Sequence, residues 1–159
     1  MGLAIRAVSR VSFISPDHAE RCGHDDRISI STCNAGFSEH LDGLRGGVYL
    51  VGGSEFSFSA GGYIDYGSWR DRLSLLMVGV PQEMIWASRE RYENAPFVKL
   101  IDFSDCEGAF GPVTSKALAA DFVRYATRIA AEDSEFVDLY RRFGQAFELA
   151  SENGFVVFC

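Results

Sequence analysis

The chain lacks an excess of basic residues. Its 15 Lys and Arg face 22 Asp and Glu, which gives a formal charge of −7. Nucleic acids and anionic membranes are bound through clustered positive charge. We therefore expect neither as a main partner, and a protein or a small molecule remains as the expected partner.

Long uncharged apolar runs are also missing. Arg6 and Arg10 interrupt the first apolar stretch, which excludes a signal peptide or a membrane span there. The cysteines are few and widely spaced, with no C-x-x-C pair, so reduced thiols are expected rather than a disulfide framework. These absences predict a cytoplasmic protein. The four cysteines are Cys22, Cys33, Cys106 and Cys159.

Phosphate-binding motifs are absent although glycine is plentiful. None of the 16 glycines belongs to a G-x-G-x-x-G fingerprint or to a loop that ends in Gly-Lys-Ser or Gly-Lys-Thr. Nucleotide binding therefore has no support from motifs. No particular cofactor is strongly implied by the sequence, so its cofactor stays unknown.

The length and composition suit one globular domain. With 159 residues, 47% of them hydrophobic, the chain can bury a core, and no linker-like segment interrupts it. We expect a single domain over residues 1–159.

Alternating apolar residues predict strands in the first third of the chain. Residues 3–14 are expected to form one long strand, and the β-branched stretch 27–33 a second. Residues 48–51 and 55–60 also have strand character, and the glycines between them favour a hairpin over residues 52–54.

Helical periodicity is clearest in the last third. Residues 113–131 and 134–152 carry apolar stripes, with Asp133 or Ser134 as the cap of the second helix. An earlier helix over 69–78 is expected to start at a Ser68 capping box, and 79–96 to form a long connection with at most one short helix. Residues 155–158 are apolar on both faces, which predicts a strand inside a sheet.

These elements predict an α+β fold. Its largely antiparallel sheet would be packed on one face by about three helices, with the C-terminal strand inside the sheet.

An acidic turn at residues 102–111 is the first candidate for a functional site. It follows an expected buried strand over 96–103 and precedes a helix, and it contains Asp102, Asp105, Cys106 and Glu107. The favoured interpretation is a structural turn closed by side-chain caps. The alternative is a Mg²⁺ or Ca²⁺ site with the three carboxylates as ligands, although the spacing does not fit a calcium-binding EF-hand loop. Neighbouring acids disfavour Cys106 as a nucleophile.

Aromatic residues form a second candidate surface. Tyr63, Tyr66 and Trp69, with Arg70 beside them, could line a ligand pocket. Aromatic residues at these spacings more often belong to a core, and we favour that interpretation.

A polar loop at 15–26 contains residue types that bind zinc. Its histidines and cysteine match no compact zinc pattern, so an ordinary exposed loop is favoured over a zinc site. The residues concerned are His18, Cys22, His24 and, further along, Cys33.

Three segments resemble an uncharacterised group of small bacterial and phage-type proteins. They are an aromatic-Trp-Arg helix start within 63–73, the turn Ser-Asp-Cys-Glu-Gly-x-x-Gly-Pro at 104–112, and Ser-Lys-x-Leu-Ala-x-Asp-Phe at 115–122. The resemblance covers about half of the chain, and it implies no particular activity.

Two functional hypotheses follow. The first is a cytoplasmic binding or interaction protein whose working surface is the acidic turn with the nearby tyrosines and tryptophan. The second is a small metal-assisted hydrolase that uses Asp105 and Glu107 as ligands or as general acid and base.

Overall fold

A computed structural model of the chain describes residues 2–19, 26–30, 39–103 and 107–159. Within these residues there are seven strands and seven α-helices. The strands are β1 Gly2–Val8, β2 Val11–Ile14, β3 Arg27–Ile30, β4 Gly47–Val51, β5 Glu55–Gly62, β6 Gly108–Phe110 and β7 Phe155–Phe158. The helices are α1 Pro16–Ala19, α2 Tyr63–Met77, α3 Gln82–Ala87, α4 Arg89–Tyr92, α5 Val98–Ile101, α6 Pro112–Arg124 and α7 Ser134–Ala150, with a 3₁₀ turn at Ala126–Ile129.

The strands form two antiparallel sheets. One has four strands in the order β5-β1-β7-β6, and the other has three in the order β2-β4-β3. The closing strand β7 lies between β1 and β6, and all four of its residues are buried. The α+β class and the internal position of the last strand are therefore confirmed, with the strands divided between two sheets.

A two-stranded antiparallel ribbon passes through both sheets and bends between them. In this bent ribbon, β1 pairs with β5 up to Val8 and Glu55, and β2 pairs with β4 from Val11 and Val51. The bend falls at Arg10, whose φ is 53°. The predicted single strand over 3–14 is thus wrong, because its two halves belong to different sheets. Strands that switch sheets at a bend are a known way to turn such a corner.

The predicted hairpin over 52–54 is also wrong. Gly52 N–H donates to the carbonyl of Arg10 at 3.0 Å, and Gly53 N–H donates to the carbonyl of Ser9 at 3.1 Å. A Cβ on Gly53 would lie 2.9 Å from the Ser9 carbonyl oxygen. These glycines therefore permit the close passage of the opposite arm of the ribbon, and β4 and β5 pair with different strands.

Three helices pack against the four-stranded sheet and bury the main core. Helix α7 forms because apolar residues recur on one face, and Asp133 caps it by accepting a hydrogen bond from Phe136 N–H at 3.0 Å. Helices α2 and α6 pack beside it. Rings from all three helices meet in one aromatic cluster, which includes Tyr66, Trp69, Phe122, Tyr140, Phe143 and Phe147.

Two other local predictions need correction. Residues 96–103 form no strand; they contain the short helix α5, which begins after Phe97 in a left-handed conformation with φ of 59°. Helix α2 begins at Tyr63 rather than at residue 69, because Asp65 accepts a hydrogen bond from Gly62 N–H at 3.1 Å and closes the first turn. The connection over 79–96 holds two short helices, α3 and α4. No helix among the described residues is long and apolar enough to cross a membrane.

Candidate ligand-binding cleft

A cavity of about 280 Å³, lined mainly by charged residues, lies beside the acidic turn. The segment at Glu39 and His40 forms one side, and helices α4 and α5 form the other. Apart from His40 and Val98, every lining residue is charged. These charged residues are Glu39, Arg89, Glu90, Glu93, Lys99 and Asp102.

His40 is held against the strand that follows the acidic turn. Its ring stacks on Phe110 with a centroid separation of 5.5 Å and lies 5.8 Å from the ring of Phe103. Its carbonyl accepts a hydrogen bond from Gly111 N–H at 2.7 Å. Burial lowers the pKa of His40, which favours the neutral imidazole; the Glu39 carboxylate opposes this shift.

Among the described residues of the predicted turn, Asp102 lines the cleft. Its Oδ1 lies 3.0 Å from the Nε of Arg89 on α4. Burial raises the pKa of Asp102 above its usual value. The positive charge of Arg89 acts in the opposite direction but is the smaller effect. The cleft thus contains an imidazole whose pKa is lowered and a carboxyl group whose pKa is raised, each relative to its usual value. Groups with shifted pKa values are concentrated at functional sites.

Arg70 supports the turn from inside the protein. It is only 3% exposed, donates to the carbonyl of Phe103 and, at 3.0 Å, to Gln82 Oε1. The rings of Tyr66 and Trp86 lie 5.2 and 5.4 Å from its guanidinium carbon. It forms no ion pair with any carboxylate among the described residues. The guanidinium is therefore engaged by the protein's own oxygens and rings.

The aromatic candidates lie away from this cleft. Tyr66 is fully buried, and Trp69 donates from Nε1 to the carbonyl of Phe136 at 3.3 Å. Tyr63 is half-buried at the first residue of α2. None of these three lines the cleft. Their positions agree with the core interpretation for Tyr66 and Trp69.

The acidic turn itself is described only in part. Asp105 and Cys106 lie outside the described residues, and Glu107 is exposed. Within the residues that are described, no group of three or more His, Cys, Asp or Glu side chains is placed to hold a metal ion. A carboxylate metal site that includes Asp105 stays a prediction.

The zinc alternative also stays untested. Three of its four residues, Cys22, His24 and Cys33, lie outside the described part of the chain. The fourth, His18, has its Nδ1 3.0 Å from Ser15 Oγ.

The cleft contains residues that sequence patterns did not indicate. His40 lies in a stretch without periodicity, and Arg89 and Lys99 belong to two helices of only four residues each. They meet because the chain folds back on itself, which leaves no local signal. No protein-family model, curated protein or solved structure matches this chain.

Proposed function

We propose that the protein is a cytoplasmic binding protein whose cleft takes a small organic cation that carries an amine. The observation that supports this proposal is the charge balance of the cleft wall. Four carboxylates line it, against the two cationic side chains of Arg89 and Lys99. Arg89 is paired with Asp102, so three glutamates face the remaining lysine.

The size of the cavity supports a small ligand. A volume of about 280 Å³ is near the lower end of the range for ligand pockets. A ligand of metabolite size fits this volume, whereas a folded partner domain does not.

The surroundings of the cleft also suit binding. The His40 segment is tied by a backbone hydrogen bond to Gly111, and Asp102 by an ion pair to α4. A wall fixed before the ligand arrives lowers the ordering cost of binding. The overall charge of −7 favours a cationic ligand further through long-range attraction.

Binding can be measured by nuclear magnetic resonance titration with small alkylamines. Alcohols and carboxylates of the same chain length serve as uncharged and oppositely charged controls. We expect shifts at the amides of residues 39–40 and 89–102 with the amines only. A Glu90→Gln, Glu93→Gln double variant should bind at least about tenfold more weakly, because it removes two attractive charges.

A matched control is the Glu83→Gln, Glu135→Gln double variant. Both glutamates are exposed and lie outside the cleft wall, so the same number of charges is removed elsewhere. Its affinity should stay close to that of the original chain. If no amine binds, or if both double variants lose affinity equally, the proposal is wrong.

The alternative function is a small metal-assisted hydrolase with Asp105 and Glu107 as ligands or as general acid and base. The exposure of Glu107 is consistent with it, since a metal ion can reach that carboxylate. Calorimetric titration with Mg²⁺, Mn²⁺, Ca²⁺ and Zn²⁺ tests this alternative. Binding that disappears in an Asp105→Asn, Glu107→Gln variant would support it, and the absence of binding to either protein would exclude it.

A further inference from the structure

An apolar groove lies between helices α6 and α7. Its volume is about 890 Å³, more than that of the cleft beside the acidic turn. Small and branched apolar residues form much of its wall: Ala119, Ala120 and Val123 on α6, and Val137 on α7. Val123 is 79% exposed, so the groove presents an apolar side chain to solvent.

Gly144 lies in the middle of the groove. A Cβ at this position would lie 3.3 Å from the Cβ of Phe122, so the glycine allows α6 and α7 to pack closely. The space beside Gly144 is thus taken up by Phe122 of the same chain, and the close approach of α6 to α7 shapes the groove.

Two opposite charges flank Gly144 along α7. Arg141 and Glu148 both line the groove and are both exposed. They are seven residues, or about two helical turns, apart and therefore share one side of the helix, with about 10.5 Å between their levels. Neither forms an ion pair within the described part of the chain, whereas the adjacent Arg142 pairs with Asp138 at 2.7 Å.

We propose that this groove binds a second copy of the chain, with the two α7 helices antiparallel about a two-fold axis. Arg141 and Glu148 lie at equal distances from a point between Gly144 and Gln145. When that point is on the axis, Arg141 of each copy faces Glu148 of the other. A two-fold interface requires such self-complementarity, because one surface must match itself.

The apolar wall completes the match. In this arrangement Val123 of each copy is covered at the interface, which removes an exposed branched side chain from water. The contact then combines apolar side chains with Gln145 near the axis, and the two ion pairs lie toward its ends. This inference is independent of the ligand proposed for the cleft beside the acidic turn.

The test is sedimentation velocity of the full chain over a range of concentrations. The original chain should form a dimer. Arg141→Glu and Glu148→Arg should each weaken dimerisation by about a hundredfold, because each replaces two attractive contacts with two repulsive ones. The control is Arg142→Glu, which makes the same charge change on the neighbouring residue outside the groove and should leave the dimer intact.

Mixing the two weakened variants gives the sharpest result. One variant then has Glu at both positions and the other has Arg at both, so only the mixed pair is complementary. We expect a heterodimer in the mixture at a concentration at which each variant alone is monomeric. Circular dichroism of each variant confirms that it is folded.

Three results would overturn the proposal. They are a chain that stays monomeric up to about 1 mM, a dimer that persists in both single variants, and a mixture that fails to associate. The first would leave the groove to a partner of different chemistry.

Discussion

The carboxylate of Asp42 accepts two hydrogen bonds from Thr114. One comes from the backbone N–H at 2.7 Å and the other from Oγ1 at 3.0 Å. Thr114 is in the first turn of α6, where backbone N–H groups have no partner within the helix. Asp42 therefore caps a helix that starts about seventy residues later, and in doing so it holds the His40 side of the cleft in place.

The first prediction concerns this cap. Asp42→Ala should lower the free energy of unfolding by about 1–2 kcal/mol, because it removes the cap and leaves the Thr114 N–H without that partner. Urea denaturation followed by circular dichroism measures the change. Asp42→Asn keeps one acceptor oxygen and tolerates the positive φ of 54°, so its loss should be smaller. Equal stability of the alanine variant and the original chain would contradict the prediction.

The second prediction compares two glycines. A Cβ on Gly111 would lie 2.7 Å from the carbonyl carbon of Leu41 and 2.8 Å from Asp42 Oδ2. Gly111→Ala should therefore destabilise the protein by about 1–3 kcal/mol through overpacking. Gly67 lies inside α2 with nothing within 4 Å of a Cβ, so Gly67→Ala should stabilise it by about 0.5–1 kcal/mol. Opposite signs in thermal unfolding are the expected outcome, and equal signs would refute this explanation.

The third prediction concerns the buried guanidinium of Arg70. A lysine cannot reproduce its bonds to both Gln82 and the Phe103 carbonyl or stack in the same way between two rings. Arg70→Lys should cost about 2 kcal/mol of unfolding free energy. Arg142→Lys makes the same substitution at an exposed position and should lower the unfolding free energy by less than about 0.5 kcal/mol. Chemical denaturation of both variants distinguishes the two cases.

The fourth prediction concerns pH and His40. Burial lowers its pKa in the folded protein, so below about pH 6.5 the unfolded chain binds a proton that the folded chain resists. Stability should therefore fall as the pH drops from about 7 to 5, with a contribution of at most about 1.4 kcal/mol per pH unit.

His40→Phe removes the titrating group and keeps a ring that can pack against Phe110. The difference between the two pH profiles isolates the histidine from Asp102, whose raised pKa acts in the opposite direction. Parallel profiles would show that His40 does not contribute to the pH dependence.

The end of the chain was predictable because its local signals agree. Helix α7 combines a strong apolar stripe with a cap at Asp133, and its observed range of Ser134–Ala150 is close to the expected 134–152. The strand Phe155–Phe158 was recognisable as internal because it is apolar on both faces. In these segments local preference and tertiary packing favour the same structure.

Elsewhere tertiary contacts override the local pattern. The glycines over 52–54 suggested a hairpin, but their role is to let the Ser9 and Arg10 backbone pass closely. Residues 98–101 have strand-like composition, yet they form a single helical turn after the left-handed Phe97. A helix of four residues is too short to show periodicity, so the sequence could not distinguish it from a strand.

The candidate site was predictable only on one side. Asp102 was predictable because acids and glycines cluster in its turn, and it does line the cleft. His40, Arg89 and Lys99 were not, because their proximity depends on contacts between segments far apart in sequence. The role of a charged residue on a surface helix can be assigned only when the residues across the cleft from it are known.

The bent ribbon couples the strand register of one sheet to that of the other. In a β-strand, a slip of one residue turns every side chain to the opposite face. Since the same pair of arms supplies the neighbouring strands of both sheets, such an error on one side of the bend would be transmitted to the other, and both apolar interiors would open together. Correct pairing of Gly52 with Arg10 is therefore required for the assembly of both sheets.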